Sequence, residues 1–150
     1  MSTFKQLSKS ENETLKLGQK VAGCLKSGDI LCLEGDLGAG KTTFVKGLAQ
    51  GLNIKMDKVH SPTFTLMNIY DSKLPLFHFD LYRMDDIQEI LNIGYEEFLF
   101  GDGIAVIEWA DKLKELLPQE YLKIEFSHAG ENQRNITITP VGKRYEHLIT

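Results

Sequence analysis

Residues 33–43 are Leu33-Glu34-Gly35-Asp36-Leu37-Gly38-Ala39-Gly40-Lys41-Thr42-Thr43, and they contain the pattern G-x-x-x-x-G-K-[ST]. An apolar run precedes the pattern and an amphipathic segment follows it, which is the strand–loop–helix context of a phosphate-binding loop. Glycines allow backbone conformations that a Cβ forbids, so successive N–H groups can surround an anionic phosphate. The N-terminus of the following helix adds partial positive charge. The stretch therefore predicts that the chain binds a nucleoside triphosphate through Gly35 to Thr43.

Two residues of this loop carry specific chemistry. In loops of this type the lysine reaches the β- and γ-phosphates, and the hydroxyl of the next residue joins the coordination shell of Mg²⁺. Lys41 and Thr42 stand at these two positions. The alternative is a glycine-rich turn that binds no ligand. The glycines, the lysine, the threonine and both flanking segments together favour nucleotide binding.

The composition is that of an ordinary globular protein and predicts a single domain over residues 1–150. The formal net charge is −4 and no run of Lys and Arg forms a basic patch, so independent binding to DNA or RNA is disfavoured. The apolar runs are too short for a membrane span, and the N-terminus lacks a secretory signal. Cys24 and Cys32 are expected to be reduced core residues of a cytoplasmic protein.

The hydrophobic pattern predicts helices and strands on both sides of the loop. Ser10 and Glu13 form a capping box that begins a helix, which Gly28 ends and whose apolar face includes Cys24. Residues 30–33 are a continuous apolar run, as expected for a parallel strand covered on both faces. The helix after the loop has its buried positions at Phe44, Val45, Leu48, Ala49 and Leu52.

The rest of the chain predicts two antiparallel hairpins, a second central strand and short helices. The hairpins are expected over residues 64–82, with a turn at 71–73, and over residues 121–139, across Gly130. Residues 103–109 form the second strongly apolar strand. Helices are expected from Asp85 to Gly94 (with Ile87, Ile90 and Leu91 as its apolar positions), over 96–100, over 111–117 and in the tail, 143–150. These elements indicate an α/β fold of the P-loop NTPase type, with a mostly parallel sheet, antiparallel hairpin additions and flanking helices.

Two carboxylates compete for the metal and for the attacking water. Asp80 ends an apolar strand, and Glu108 follows four apolar residues, Ile104 to Ile107. An acid at the carboxyl end of such a strand lies beside the phosphate loop, where open α/β sheets bind ligands. We expect Glu108 to bind the metal or orient the water, with Asp80 as a nearby metal or water contact. The pattern does not rank the two, and a solvated strand-end carboxylate is the alternative for each.

Three further kinds of side chain are candidates on weaker grounds. Thr63, in Ser61-Pro62-Thr63, can meet the γ-phosphate or the metal as a switch-loop threonine does, although a simple turn before a strand explains it equally well. His60 and His78 lack the partners of a zinc site, so His60 is expected in an exposed loop and His78 on a face of the aromatic hairpin. Arg83 and Arg134 are expected to form surface salt bridges.

The missing guanine signature favours ATP over GTP. GTPases carry N-K-x-D on a later strand, and the nearest string here, residues 53–57, has the wrong spacing and follows the loop's own helix. No D-x-x-G follows the expected strand either.

Four strings together resemble one protein family. They are the loop at Gly35 to Thr43, Ser61-Pro62-Thr63-Phe64, His78-Phe79-Asp80-Leu81-Tyr82-Arg83 and Ile107-Glu108-Trp109-Ala110. In this order and over most of the chain, they closely resemble the TsaE family, also called YjeE. Each string is modest alone, but the combination behind a phosphate loop is highly specific.

The resemblance implies a bacterial cytoplasmic ATPase that uses ATP and Mg²⁺ in the synthesis of threonylcarbamoyladenosine, next to the anticodon of tRNAs that read ANN codons. Such a protein acts on a TsaB–TsaD heterodimer, which performs the transfer and holds the tRNA, so its own contact with tRNA is indirect.

By the same resemblance Thr42 and Glu108 hold Mg²⁺, Lys41 and Thr43 contact phosphates, and Asp80 is the Walker B acid. Trp109 supports the active centre or a partner contact, Arg134 lies near the nucleotide, and the segment from Ser10 to Glu13 lies where adenine is approached.

Two other functions are weighed against this one. A small P-loop kinase that phosphorylates a metabolite normally carries an acceptor-binding insertion and an Arg-bearing lid, and here a short aromatic hairpin follows the loop's helix instead. A nucleotide-dependent switch without useful hydrolysis requires the Glu108→Ala variant to keep its biological activity.

Overall fold

The structure is a computed structural model, and it describes residues 3–35, 40–55, 67–82, 84, 86–92, 94–99 and 101–149. The strands in these ranges are β1 (Phe4–Ser8), β2 (Ile30–Glu34), β3 (Met67–Tyr70), β4 (Leu76–Asp80), β5 (Ile104–Glu108), β6 (Tyr121–Gly130) and β7 (Gln133–Val141). The α-helices are α1 (Glu11–Ala22), α2 (Lys41–Gly51), α3 (Ile87–Asn92) and α4 (Tyr95–Leu99). Two 3₁₀ segments, Ala110–Leu116 and Lys143–Ile149, complete the described elements.

The described strands form one sheet in the order β1-β7-β6-β2-β5-β4-β3. The centre is parallel, because β2 pairs with both β5 and β6, and β4 pairs with β5. Antiparallel pairs extend the sheet on each side through β3 and β4, β6 and β7, and β1 and β7. The predicted α/β class and both predicted hairpins are confirmed.

Helices cover both faces of the sheet, and the central strands are therefore buried on both sides. The side chains of β2 alternate between two cores: Leu31 and Leu33 pack with α1 and α2, and Ile30 and Cys32 pack with α3, α4 and the segment Ala110–Leu116. This double burial explains the continuous apolar run of β2, since a strand with one wet face alternates instead.

Close contact between α1 and α2 depends on two glycines. A Cβ on Gly18 would overlap the backbone oxygen of Phe44, and a Cβ on Gly47 would overlap that of Leu15. The two helix backbones therefore touch without intervening side chains. Since α2 begins at the phosphate loop, this contact also fixes where the N-terminus of α2 lies.

The first helix begins as predicted but ends earlier. Ser10 is its N-cap, and the Ser10 hydroxyl accepts a hydrogen bond from the Glu13 amide at 3.1 Å. The helix ends at Ala22 rather than near Gly28, and Cys24 is exposed, so the prediction that Cys24 is a core residue was wrong. Cys32 is buried, as expected.

Other local predictions also need correction. Strand β1, which pairs along β7 from Phe4 to Ser8, was not predicted. The predicted helix at 111–117 is a 3₁₀ segment interrupted at Lys114, whose φ is 51°. The tail also forms a 3₁₀ segment, and Leu91, expected on an apolar face, is exposed. Residues 59–66, which include the predicted loop before β3, lie outside the described residues.

The C-terminal segment is fastened to the start of β2. The Tyr145 hydroxyl is buried and accepts a hydrogen bond from the Ile30 amide at 2.7 Å. Beside it, the Arg144 Nε donates to Asp29 Oδ1 at 2.8 Å. These contacts lie at the amino end of the parallel strands, opposite the phosphate loop. No helix in the described ranges is long and apolar enough to cross a membrane.

Replacement of Gly47 by Ala tests the helix contact. The new methyl group meets the Leu15 backbone, which has no rotamer to relieve the overlap, so we expect Gly47→Ala to lower the free energy of unfolding by about 1–3 kcal/mol. Gly23→Ala is the matched control, because Gly23 has a φ of −64° and ordinary space around its Cβ position. We expect that variant to stay within about 1 kcal/mol of the parent. Urea unfolding followed by circular dichroism measures both, and equal stabilities for the two variants would contradict the contact.

The two thiols should differ sharply in reactivity. Burial, with a smaller contribution from the Glu34 charge, raises the pKa of Cys32 to about 12, so this residue stays a protonated thiol at neutral pH. Cys24 is exposed. We therefore expect a disulfide reagent at pH 8 to modify one thiol rapidly in the native protein and both after denaturation. Rapid modification of Cys24→Ser protein without denaturant would show that Cys32 is accessible.

Candidate nucleotide-binding site

The phosphate loop is described at its two ends. Strand β2 ends at Glu34, helix α2 begins at Lys41, and Asp36, Leu37, Gly38 and Ala39 lie outside the described residues. Gly35 has a φ of 146° and Gly40, the N-cap of α2, a φ of 102°, and L side chains rarely adopt either value. A Cβ on Gly35 would also lie 2.6 Å from the Phe126 backbone oxygen. Both positions therefore need glycine, as the pattern predicts.

Lys41 is the first residue of α2 and its side chain is held inside the site. Its Nζ donates to the Gly35 backbone oxygen at 2.7 Å and lies 3.9 Å from Glu108 Oε1. The same Nζ lies 4.6 Å from the centre of the Trp109 ring, within the range of a cation–π contact. Thr42 and Thr43 follow in the first turn, where the backbone N–H groups have no partner within the helix.

Asp80 and Glu108 end neighbouring parallel strands and lie directly opposite one another in the register of β4 and β5. They are only 3% and 4% exposed, which excludes a solvated strand-end carboxylate for either. Asp80 Oδ1 accepts a hydrogen bond from the Tyr82 amide at 2.9 Å. The backbone continues the pairing beyond the strand, because the Leu81 amide donates to the Glu108 carbonyl at 3.1 Å. The structure thus places two buried acids beside the start of α2.

His78 belongs to the same group, although sequence reasoning assigned it to the aromatic hairpin alone. It lies on β4, as expected, but its Nε2 is 2.6 Å from Glu108 Oε2 and the residue is 0% exposed. Strand periodicity carried a usable signal, since residues two apart share a face and His78 precedes Asp80 by two. No group of three or more His, Cys, Asp or Glu side chains that could hold a metal lies within the described residues.

Trp109 closes one side of the site. Its φ of 61° is left-handed, an uncommon conformation for a bulky residue, and one that often marks functional positions. Its ring packs against that of Tyr82 with centres 4.9 Å apart. A cavity of about 220 Å³ opens beside Gly35 and Trp109 and is also lined by Glu34 and Asp111, which sequence reasoning did not select.

Arg134 and the start of α1 approach the loop from the other side. The Arg134 Cγ would lie 3.6 Å from a Cβ on Gly40, so this residue borders the loop, and its Nη1 donates to the Gln133 carbonyl at 2.8 Å. The methyl group of Thr14 would be 3.9 Å from the same Cβ position. The Ser10 hydroxyl caps α1. A direct contact of Ser10 or Arg134 with nucleotide stays a prediction.

Several predicted site residues fall where the structure is not described. They are Asp36, Leu37, Gly38, Ala39, His60, Thr63 and Arg83. Of the predicted residues in the described ranges, Lys41, Asp80 and Glu108 come together around the N-terminus of α2. The arrangement places the Lys41 ammonium group and two acids at the carboxyl edge of the sheet, next to a loop whose ends have the conformations that only glycine tolerates well.

The chain is similar over most of its length to proteins of one family. A family model described as threonylcarbamoyl adenosine biosynthesis protein TsaE matches residues 8–136. A Bacillus subtilis (strain 168) protein named tRNA threonylcarbamoyladenosine biosynthesis protein TsaE is 48% identical over 149 residues, which cover 99% of this chain and 92% of that protein. The Aquifex aeolicus protein of the same name is 44% identical over 131 residues, or 86% of this chain and 90% of that one.

A solved structure has the same fold. The crystal structure of YdiB from Bacillus subtilis superposes with a TM-score of 0.82, at 42% identity, over 98% of this chain and 91% of that one. The match of the family model and these near full-length similarities show that the chain belongs to the TsaE family.

Proposed function

We propose that this protein binds and hydrolyses ATP with Mg²⁺ and that it serves the synthesis of threonylcarbamoyladenosine in tRNA. The observation that carries the proposal is the position of Lys41, which begins α2 directly after the loop and faces the buried carboxylate of Glu108 at 3.9 Å. A cation next to a buried acid, at a helix N-terminus, is what a loop that holds Mg²⁺-bound phosphates needs.

The residues present fit a nucleotide. The amides of the first turn of α2, after the N-cap Gly40, point where an anion is favoured, because the first helical N–H groups lack intrahelical partners. Among the described residues, the Lys41 Nζ donates a hydrogen bond to a neutral acceptor, the Gly35 carbonyl, at 2.7 Å. A phosphate oxygen is a stronger acceptor for an ammonium group than a carbonyl. Lys41 can therefore exchange that contact for the β- and γ-phosphates.

The residues also fit Mg²⁺. This ion typically takes one or two carboxylates and fills its remaining positions with phosphate oxygens and water, so the pair Asp80 and Glu108 with the Thr42 hydroxyl is a sufficient protein contribution. When bound, the ion supplies positive charge to the β- and γ-phosphate oxygens. Glu108 stands opposite Asp80 at the strand ends, and either acid can bind the metal while the other orients water.

The biological assignment follows from the named relatives and from charge. Two relatives that match most of this chain are named for threonylcarbamoyladenosine synthesis on tRNA. At a net charge of −4 the chain is poorly suited to grip tRNA alone. The resemblance to the TsaE family implies the partner: we assign the tRNA to the TsaB–TsaD heterodimer, on which this ATPase acts without transferring the threonylcarbamoyl group itself.

The first test is ATP turnover with and without the heterodimer. We expect slow hydrolysis by the isolated chain and a rise of at least about tenfold when the TsaB–TsaD heterodimer is added, since completing a catalytic site from two proteins commonly has effects of this size or larger. A coupled phosphate-release assay measures both rates. Fast and equal rates would contradict partner activation. Transfer of labelled γ-phosphate to a small acceptor would instead favour a metabolite kinase.

Two substitutions should separate nucleotide binding from turnover. Lys41→Ala should abolish binding, because it removes the ammonium group that the phosphates contact. Glu108→Ala should leave binding within about threefold and lower turnover by about 100-fold, the scale of a lost catalytic acid or base. Calorimetry gives the dissociation constants, and the phosphate-release assay gives the rates.

Matched controls keep this comparison clean. Lys46 lies on the same helix, five residues beyond Lys41, and Glu125 lies on β6 with its carboxylate 3.9 Å from the Lys123 ammonium group. Lys46→Ala and Glu125→Ala should behave like the parent protein. Normal hydrolysis by Lys41→Ala and Glu108→Ala would show that the site lies elsewhere, and full biological activity of a Glu108→Ala protein that does not hydrolyse ATP would favour a switch.

A further inference from the structure

His78 occupies a position from which it can act only through another residue. It is 0% exposed and sits in the middle of β4, between Asn68 on β3 and Val106 on β5 in the register of the sheet. Its side chain points to the same face as Asp80, two residues on, because strand residues alternate. The ring is thus behind the acid pair, on the side away from the mouth of the site.

One hydrogen bond joins His78 to the site. Its Nε2 lies 2.6 Å from Glu108 Oε2. With Glu108 ionised, its carboxylate accepts this hydrogen bond and the imidazole Nε2–H donates it. The other ring nitrogen, Nδ1, is buried and has no hydrogen-bond partner among the described residues. The contact with Glu108 is therefore the polar contact of this ring that the structure describes.

The two oxygens of Glu108 face different partners. Oε2 accepts from His78, and Oε1 is 3.9 Å from the Lys41 ammonium group, too far for a direct hydrogen bond. A glutamate side chain has three rotatable bonds, so fixing its orientation costs conformational entropy. Without the imidazole, the nearby cation would draw the carboxylate into direct contact, since a buried charge is stabilised by close pairing.

We propose that His78 is the positioning residue for Glu108: its hydrogen bond holds the carboxylate short of Lys41, so that the acid stays aimed at the metal and water positions and the lysine stays available for phosphate. This inference rests on the proposed ATPase function and names a further residue of that site. His78 does not contact the nucleotide, because its ring is fully buried and its Nε2 is already bound to Glu108.

Two amide variants test the proposal, because they place an N–H donor at different depths. The amide nitrogen of Gln extends about as far as the imidazole Nε2, whereas that of Asn extends only about as far as Nδ1. We expect His78→Asn to lower kcat, measured with the TsaB–TsaD heterodimer, by about 10- to 100-fold, the usual effect of losing a partner that orients a site ligand. We expect His78→Gln to keep kcat within about threefold of the parent value. The KM for ATP should change little in either variant.

A double-mutant cycle separates positioning from general damage to the fold. If His78 acts through Glu108, then His78→Asn should have almost no further effect on kcat in a Glu108→Gln background. Equal kcat losses in both backgrounds would overturn the proposal, and so would equal losses in the two amide variants. Thermal unfolding is measured for each variant alongside kcat. Both amides are polar replacements at a buried position, so if His78 served only the fold, His78→Asn and His78→Gln would lose stability and kcat alike.

A second measurement does not depend on hydrolysis. Trp109 is the single tryptophan of the chain, and its ring lies 4.6 Å from the Lys41 Nζ. If Glu108 turns towards Lys41, the ammonium group moves relative to the ring and the emission of the nucleotide-free protein changes. We expect the emission of His78→Asn to differ from the parent spectrum and that of His78→Gln to match it. Identical spectra for all three proteins would overturn the proposal, whereas a parent protein without ATPase activity would overturn only the proposed function.

Discussion

The buried carboxylate of Glu108 is the constraint on which the rest of the site depends. At 4% exposure it has lost most of its hydration, and an isolated charge in that place costs several kcal/mol, on the order of 3–5, when a partner is removed. Lys41 and His78 compensate it from two directions, one from α2 and one from β4. Because Glu108 itself ends β5, this one group ties together the loop's helix and two parallel strands. The charge balance of the site therefore depends on how α2, β4 and β5 pack together.

The position of α2 explains why Lys41 meets that carboxylate at all. Gly40 turns the chain into the helix with a φ of 102°, and the helix then lies directly on α1 through Gly18 and Gly47. A side chain at either of the last two positions would push α2 outward and carry Lys41 with it. Small residues in the contact between α1 and α2 thus help to set the distance between Lys41 and Glu108. Loop glycines and helix glycines serve different purposes, since the former relieve backbone strain and the latter allow close approach.

Strong local signals made much of the fold predictable. The apolar run of β2, the cap at Ser10 and the two hairpins are local patterns, and each is confirmed. Strand β1 was missed because its five residues alternate weakly and owe their strand conformation to pairing along β7. Cys24 was misplaced because apolar spacing continues past the point where the helix stops at Ala22. Pairing with β7 therefore determines the conformation of β1, and the early end of α1 determines the exposure of Cys24.

The site shows the same division between local and tertiary information. The phosphate-loop pattern located Lys41, and strand-end position located Asp80 and Glu108, because each depends on residues adjacent in the chain. The role of His78 depends on the register between β4 and β5, which brings residue 78 beside residue 108 and is not written in either segment alone. Periodicity could place His78 on the face of Asp80, but only the pairing of the strands shows which acid it reaches.

If the protein binds ATP as proposed, pairing within the site also bears on how tightly the nucleotide is held. Without phosphate, Lys41 already has a carbonyl at 2.7 Å, an aromatic ring at 4.6 Å and a carboxylate at 3.9 Å. The binding free energy that a phosphate gains from Lys41 is the difference between its own contact and the contacts it replaces, because only differences in interaction between the free and bound states count. The carbonyl is the contact most readily exchanged, because it is neutral and belongs to the loop. In the proposed ATPase, the carboxylate is the contact that must not close on the lysine. The 3.9 Å distance between Lys41 Nζ and Glu108 Oε1 would then govern both the affinity for ATP and the freedom of Glu108.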